Sequence, residues 1–344
     1  TGVSNFTSVA NTLTPLMQGS VCWGDYDNDG YMDLLTTGTT NLNTYSKAQT
    51  ILYHNNGNET FTATTNSFAG IYLGTAAFGD YNNDGYLDIA VGGQTTSAES
   101  VTYVYRNNGD GSFTLQPKFN LNGITGSTAY DAKIIWTDLN NDGFLDLVLN
   151  SIGATYIYKN TGNDSFEHIS GFNPSHGYNS GFSHVDIGDS NNDGLPDILL
   201  TGSDWNGGYM YVYLNNGNLN FSDGINIDID FYPNTAFWAD YNNDGYLDII
   251  SNNYIYKNNA DSTFTYQSNY SFSDDITAAF DIDHDGDLDF IGVDKKLYIN
   301  NTSNRLPVLT APENLQSTVT KDSIILTWSK DENINTFYAI QIID

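Results

Sequence analysis

Six stretches of this 344-residue chain set carboxylate and amide oxygens at one spacing: DYDNDGYMD (25–33), DYNNDGYLD (80–88), DLNNDGFLD (138–146), DSNNDGLPD (189–197), DYNNDGYLD again (240–248) and DIDHDGDLD (281–289). Oxygens at positions 1, 3 and 5 of the nine converge when the chain turns tightly, and the glycine at position 6 permits that turn. A main-chain carbonyl at position 7 and the carboxylate at position 9 complete an all-oxygen shell. Such a shell suits a hard cation of flexible coordination, Ca²⁺ rather than Zn²⁺. Positions 1, 5 and 9 are aspartate in all six stretches, and Asp27 and Asp283 add a carboxylate at position 3. Without a cation these groups repel one another at close range. An EF-hand is excluded, because it needs a glutamate at position 12 and flanking helices; here that position holds Thr36, Val91, Leu149, Leu200, Ser251 and Gly292.

The elements that must hold these loops repeat with them. The first aspartates stand 55, 58, 51, 51 and 41 residues apart, a period of blades or solenoid turns. Each period carries four short runs rich in Tyr, Phe, Val, Ile and Thr, without helical periodicity, so the fold is all-β. The third and fourth runs are joined by YHNNGNETF (53–61), YRNNGDGSF (105–113), YKNTGNDSF (158–166), YLNNGNLNF (213–221) and YKNNADSTF (256–264). Asn-Gly pairs there suit tight hairpin turns. Four antiparallel strands per repeat, none able to bury both faces alone, predict a β-propeller of six blades, with seven as the alternative count. Residues 4–26 align with 59–81 and so begin on a fourth strand, whereas the sixth repeat ends after its third. The N-terminal strand near Phe6 is therefore expected to close the ring.

Forty-one acidic residues against 11 basic ones leave a net charge of −30, which repels nucleic acid and anionic lipid and favours cations. No apolar run reaches the ~18 residues of a membrane span, which argues against membrane insertion. A single cysteine, Cys22, forms no intrachain disulfide. The chain opens on TGVSNFTSV, with no leader, which is read as a signal peptide already removed. If each loop binds Ca²⁺ with a Kd of ~0.1 mM at ~1 mM free ion, it stabilises the fold by roughly 1.4 kcal/mol, an argument for an extracellular or cell-surface setting.

The loops, most clearly FGDYNNDGYLDIAVGG (78–93), resemble FG-GAP/VCBS repeats of the integrin α-subunit propeller type over residues 1–304. That resemblance implies a secreted or surface propeller acting in adhesion or glycan recognition, with about six Ca²⁺ sites. Carried onto this chain, the implied ligands are Asp25, Asp27, Asp29, the Tyr31 carbonyl and Asp33; Asp80, Asn82, Asp84, Tyr86 and Asp88; and Asp138, Asn140, Asp142, Phe144 and Asp146. The remaining three loops supply Asp189, Asn191, Asp193, Leu195 and Asp197; Asp240, Asn242, Asp244, Tyr246 and Asp248; and Asp281, Asp283, Asp285, Asp287 and Asp289. Leu195-Pro196 and the extra charge of Asp287 are expected to make the fourth and sixth sites depart from the rest. Residues 305–344 form a Pro-marked linker and a stretch resembling the first strands of a fibronectin type III domain, so a longer multidomain chain is expected.

Away from the loops, Trp205, Tyr45 and Tyr178 sit in Gly-, Asn- and Ser-rich connections whose composition suits stacking on sugars. Trp23, Trp136 and Trp238 read as core between blades. His168, His176 and His184 match no metal or catalytic spacing, and the expectation is no enzyme. The reading is a calcium-binding recognition module for a glycan or surface protein. Its alternatives are a carbohydrate-active module of the polysaccharide lyase kind and a spacer or cargo domain.

Overall fold

A computed structural model describes residues 12–41, 47–97, 99–116, 133–151, 154–172, 181–204, 207–233, 235–270, 272–283, 285–300, 316–319 and 324–327. Tyr45, Tyr178, Trp205 and Phe6 lie outside the described residues. Every described element of regular structure along the repeats is a strand, and each sheet is an antiparallel meander in chain order. Sheet 1 contains β1 (Val21–Gly24), β2 (Asp33–Thr39), β3 (Ala48–Asn55) and β4 (Phe61–Ala63); sheet 2 contains β5 (Ile71–Gly79), β6 (Asp88–Thr95), β7 (Ser100–Asn107) and β8 (Phe113–Leu115). Sheet 3 contains β9 (Lys133–Thr137), β10 (Asp146–Ser151), β11 (Ala154–Asn160) and β12 (Phe166–His168); sheet 4 contains β13 (Gly181–Gly188), β14 (Asp197–Asp204), β15 (Gly207–Tyr213) and β16 (Ile225–Ile227). Sheet 5 contains β17 (Ala236–Ala239), β18 (Asp248–Ser251), β19 (Tyr254–Asn258) and β20 (Phe264–Tyr266). Sheet 6 has three strands, β21 (Ile276–Phe280), β22 (Asp289–Gly292) and β23 (Leu297–Tyr298), and β24 (Gln316–Val319) pairs with β25 (Ile324–Thr327) in a separate hairpin. This is the blade architecture of a β-propeller.

Each second strand is buried almost throughout, as in β6, because it is an inner strand of its sheet, and in sheet 2 it packs against blades on both faces. Cores accordingly form between blades. Ile89 and Val91 of sheet 2 pack with Leu35 and Leu52 of sheet 1, and Leu199, Met210 and Val212 of sheet 4 pack with Ile249 and Tyr256 of sheet 5. Two residues before loops 2, 3 and 5, an aromatic ring lies on the preceding blade: a Cβ on Gly24 would sit 2.7 Å from the Phe78 ring, one on Gly79 2.6 Å from the Trp136 ring, and one on Gly188 3.0 Å from the Trp238 ring. These two tryptophans are inter-blade packing, as their position in the repeat predicts. Trp23 is not: it is 54% exposed, because no described blade covers its side of sheet 1.

Candidate metal centre

Each nine-residue stretch joins the first strand of its sheet to the second, and all six fold alike. The position 1 carboxylate accepts two backbone N–H bonds. One comes from position 5 at 3.1 Å, as Asp29 N to Asp25 Oδ1, and one from the position 6 glycine at 2.8–3.0 Å, as Gly85 N to Asp80 Oδ2. The position 5 carboxylate accepts the position 7 N–H at 2.9–3.1 Å. Glycine at position 6 has φ between +86° and +92°, which only glycine adopts without strain.

The closing aspartate has a different job. Asp33, Asp88, Asp146, Asp197, Asp248 and Asp289 are all fully buried. One oxygen of each accepts the position 2 N–H and the other accepts the N–H of an asparagine ending the third strand, over 2.7–3.3 Å. Burial pushes the carboxyls of Asp33, Asp88, Asp146, Asp197 and Asp248 up, Asp88 and Asp248 to about 7 and Asp146 to about 6, against backbone bonds that pull them down. The same asparagines link blade to blade. Asn107, Asn160, Asn215, Asn258 and Asn300 each donate from Nδ2 to the position 2 carbonyl of the preceding loop (Tyr26, Tyr81, Leu139, Ser190 and Tyr241) at 2.7–2.8 Å. In the other direction, Asn28, Asn83, Asn141, Asn192 and Asn243 at position 4 reach the glycine carbonyl of the next loop at 2.7–3.0 Å.

The expected departure of the fourth loop is not seen in this network. Leu195 and Asp193 make the same turn bonds, and Pro196 contributes its carbonyl to Asn215, so its missing N–H interrupts nothing described. In the sixth loop the Asp287 side chain is buried and accepts from Asn243 of the neighbouring loop at 2.7 Å. Its charge serves the contact between blades 5 and 6.

The residues fit a hard cation. Carboxylate oxygens of Asp25, Asp27 and Asp33 lie within 4.8 Å of one another, as do those of Asp281, Asp283 and Asp285. At position 3, Asp27 Oδ1 and Asn242 Oδ1 are buried acceptors with no hydrogen-bond donor. Oxygens already bonded to one N–H keep a further lone pair for a metal. Burial and neighbouring acids push Asp27 up, although His54 opposes this, and loss of solvent with the charges of Asp285, Asp289 and Asp281 pushes Asp283 up.

Sequence reasoning missed the side chain that stands before each third-strand asparagine. Arg106, Lys159 and Lys257 occupy that place in sheets 2, 3 and 5, with their cationic heads 3.2, 3.2 and 3.0 Å from the position 5 carboxylates of Asp84, Asp142 and Asp244. In sheet 1 the residue is His54, with Nδ1 3.1 Å from Asp27 Oδ2 and 3.4 Å from Asp33 Oδ1. In sheets 4 and 6 it is Leu214 and Ile299. The signal was available as a basic residue before the Asn-Asn or Asn-Thr of the hairpins in sheets 1, 2, 3 and 5. Between loop 2 and the hairpin joining β11 to β12, a polar cleft of ≈ 470 Å³ is lined by Tyr81, Asn82, Asp84, Arg106, Asn163 and Asp164, among others.

A profile of the FG-GAP-like repeat matches residues 42–91, 80–149, 138–200 and 189–251. Integrin alpha-3 of Mus musculus is 33% identical over 99 residues, 26% of this chain and 9% of the integrin, and integrin alpha-3 of Cricetulus griseus matches to the same extent. The matched stretch is thus a small part of those receptors. Among solved structures, a lectin of Agrocybe aegerita described for its recognition of non-reducing terminal N-acetylglucosamine superposes with a TM-score of 0.55 at 21% identity, covering 80% of this chain and 74% of the lectin. At that identity the likeness concerns the fold alone.

Proposed function

The chain belongs to the FG-GAP-like repeat family, and on that premise we propose that it is an extracellular recognition module: a six-bladed propeller whose loops take up Ca²⁺ and whose surface binds a glycan or a surface protein without enzymatic chemistry. The observation that carries the calcium reading is the convergence of carboxylate oxygens in the first and sixth loops, on a turn that all six loops share, with the position 3 acceptors Asp27 Oδ1 and Asn242 Oδ1 lacking any donor. Six Ca²⁺ at roughly 1.4 kcal/mol each are comparable with a domain's whole stability of ~5–15 kcal/mol.

Closure of the ring is supported by what blade 1 lacks. Asn55 donates to Met32 within its own blade, while its five counterparts also reach a preceding blade, and Trp23 has no cover. The Ile282 carbonyl and Phe280, at the end of the first strand of sheet 6, stand at the equivalent partner positions for Asn55 and Trp23. Recognition of sugars is supported by the cleft between loop 2 and the β11–β12 hairpin, which sets amides, a phenol, a guanidinium and carboxylates around one space, suited to hydroxyl groups. Similarity to integrin α-chains and to a lectin fold points the same way.

The test is a glycan array run with Ca²⁺ and with chelator, each with a melting curve. Calcium-dependent binding that Asp164→Ala abolishes supports the reading. A folded, Ca²⁺-stabilised protein that binds no glycan turns the search to protein partners, and hydrolysis or elimination of any array sugar contradicts it.

A further inference from the structure

On the fifth blade three tyrosines gather where the third blade sets His168 against Tyr156 and Tyr158. In register, the last residue of the fourth strand faces a third-strand tyrosine: Ala63 faces Tyr53, Leu115 faces Tyr105, His168 faces Tyr158 and Tyr266 faces Tyr256. Tyr254 lies two residues before Tyr256 and so on the same face of β19. The Tyr266 ring centroid is 5.7 Å from those of both Tyr254 and Tyr256, at 59° and 45°, so the rings splay rather than stack. Phe231 stacks on Tyr254 at 4.3 Å and 13° and holds it in place. The chain leaving β16 runs past these rings and carries Asp228 and Asp230, both exposed, on either side of Ile229. Together these residues line a pocket of ≈ 280 Å³.

Tyrosine faces are regions of negative potential, and two carboxylates at the rim of the same space add to it. Their reach is visible at the Tyr256 hydroxyl, which burial and then the Asp230, Tyr254, Tyr266 and Asp228 charges push up. No basic side chain lines the pocket. The space is smaller than a drug-sized site of ~300–1,000 Å³ and matches a compact head group on a stem. A neutral sugar finds ring faces here, but the rim offers ionised acceptors in place of mixed donors and acceptors. We propose that Tyr254, Tyr256 and Tyr266 with Asp228 and Asp230 form a binding site for an organic ammonium group, held by the ring faces and neutralised by the two acids. The group has two possible sources, a small alkylammonium solute or a lysine side chain of a protein partner.

The test is isothermal titration in saturating Ca²⁺ with tetramethylammonium, choline and Nα-acetyl-lysine amide, against NaCl at equal ionic strength. Saturable binding of an ammonium probe is expected, with N-acetylglucosamine failing to compete. Tyr266 is 47% exposed, so Tyr266→Ala should leave the melting temperature in place and weaken binding roughly fivefold. Asp228→Asn with Asp230→Asn should weaken it at least as much and remove its salt dependence. Preference for choline or for the lysine amide identifies the source. Absence of saturable heat with every ammonium probe, or unchanged affinity in both variants with the fold intact, overturns the assignment.

Discussion

Loops 2, 3 and 5 and loop 6 have one backbone and opposite electrostatics. In the first group a cation from the chain's own third strand, Arg106, Lys159 or Lys257, rests on the position 5 carboxylate. Loop 6 has five aspartates in nine residues and Ile299 where the cation would stand. The turn bonds are the same in both, so the fold of the loop does not depend on which arrangement is present. The difference lies in what balances the charge. A loop with an internal ammonium or guanidinium is partly neutralised before any metal arrives, whereas Ile299 brings no charge to that place in loop 6. On the proposed calcium reading, demand for the ion is graded from loop to loop, and loop 4, with Leu214, belongs with loop 6.

The largest expected effect lies in what the two groups share. Replacing a closing aspartate by alanine, Asp88→Ala or Asp289→Ala, strips two backbone N–H groups of their acceptor and should cost on the order of 3 kcal/mol in either loop, read from urea unfolding with Ca²⁺ present. A loss confined to one of the two would break the claim of a common frame.

A smaller effect follows from Asp88 and Asp248, whose carboxyls burial raises to about 7. Between the unfolded value near 4 and about 7 the folded chain holds protons that the unfolded chain has released. In chelator, therefore, stability present below pH ~4 is lost progressively as the pH rises through 7. Added Ca²⁺ favours the ionised carboxylates and should flatten that slope. Melting curves from pH 5 to 8 in the two buffers read the difference, and a chelated protein that gains stability over this range would contradict it.

The smallest effect sharpens the contrast. Lys257→Met and Arg106→Met should each cost no more than about 1 kcal/mol in chelator, because the pairs are half exposed. Each variant should show a larger Ca²⁺-induced rise in melting temperature than the parent.

Much of this frame was legible in the sequence. The oxygen spacing, the blade meander, the loop's place between first and second strands and the three-stranded sixth sheet all follow from patterns that repeat six times. What was not legible depends on neighbours in space. The third-strand asparagine looks like a hairpin turn residue, yet Asn107 reaches 81 residues back to the Tyr26 carbonyl. Arg106 and Asp84 are 22 residues apart and meet only once the strands pair. Trp23 shares its pattern with Trp136, yet no described blade covers it. Pro196 looked disruptive because a sequence does not show which N–H groups a turn leaves unused. The pocket at Tyr266 arises from register, Tyr opposite Tyr, combined with an inter-blade segment that no local pattern aligns with it.

The measurement that bears most directly on the central claim is a Ca²⁺ titration of the chelated protein by calorimetry, comparing the natural sequence with Ile299→Lys, in which loop 6 receives the cation that loops 2, 3 and 5 already have. Ile299 is 42% exposed, so the lysine is expected to be tolerated. The account predicts about six Ca²⁺ per chain in the natural sequence, with one of the tighter sites weakened in the variant and the variant more stable than the parent in chelator. No binding of Ca²⁺ by the natural sequence, or identical titrations for the two proteins, would contradict it.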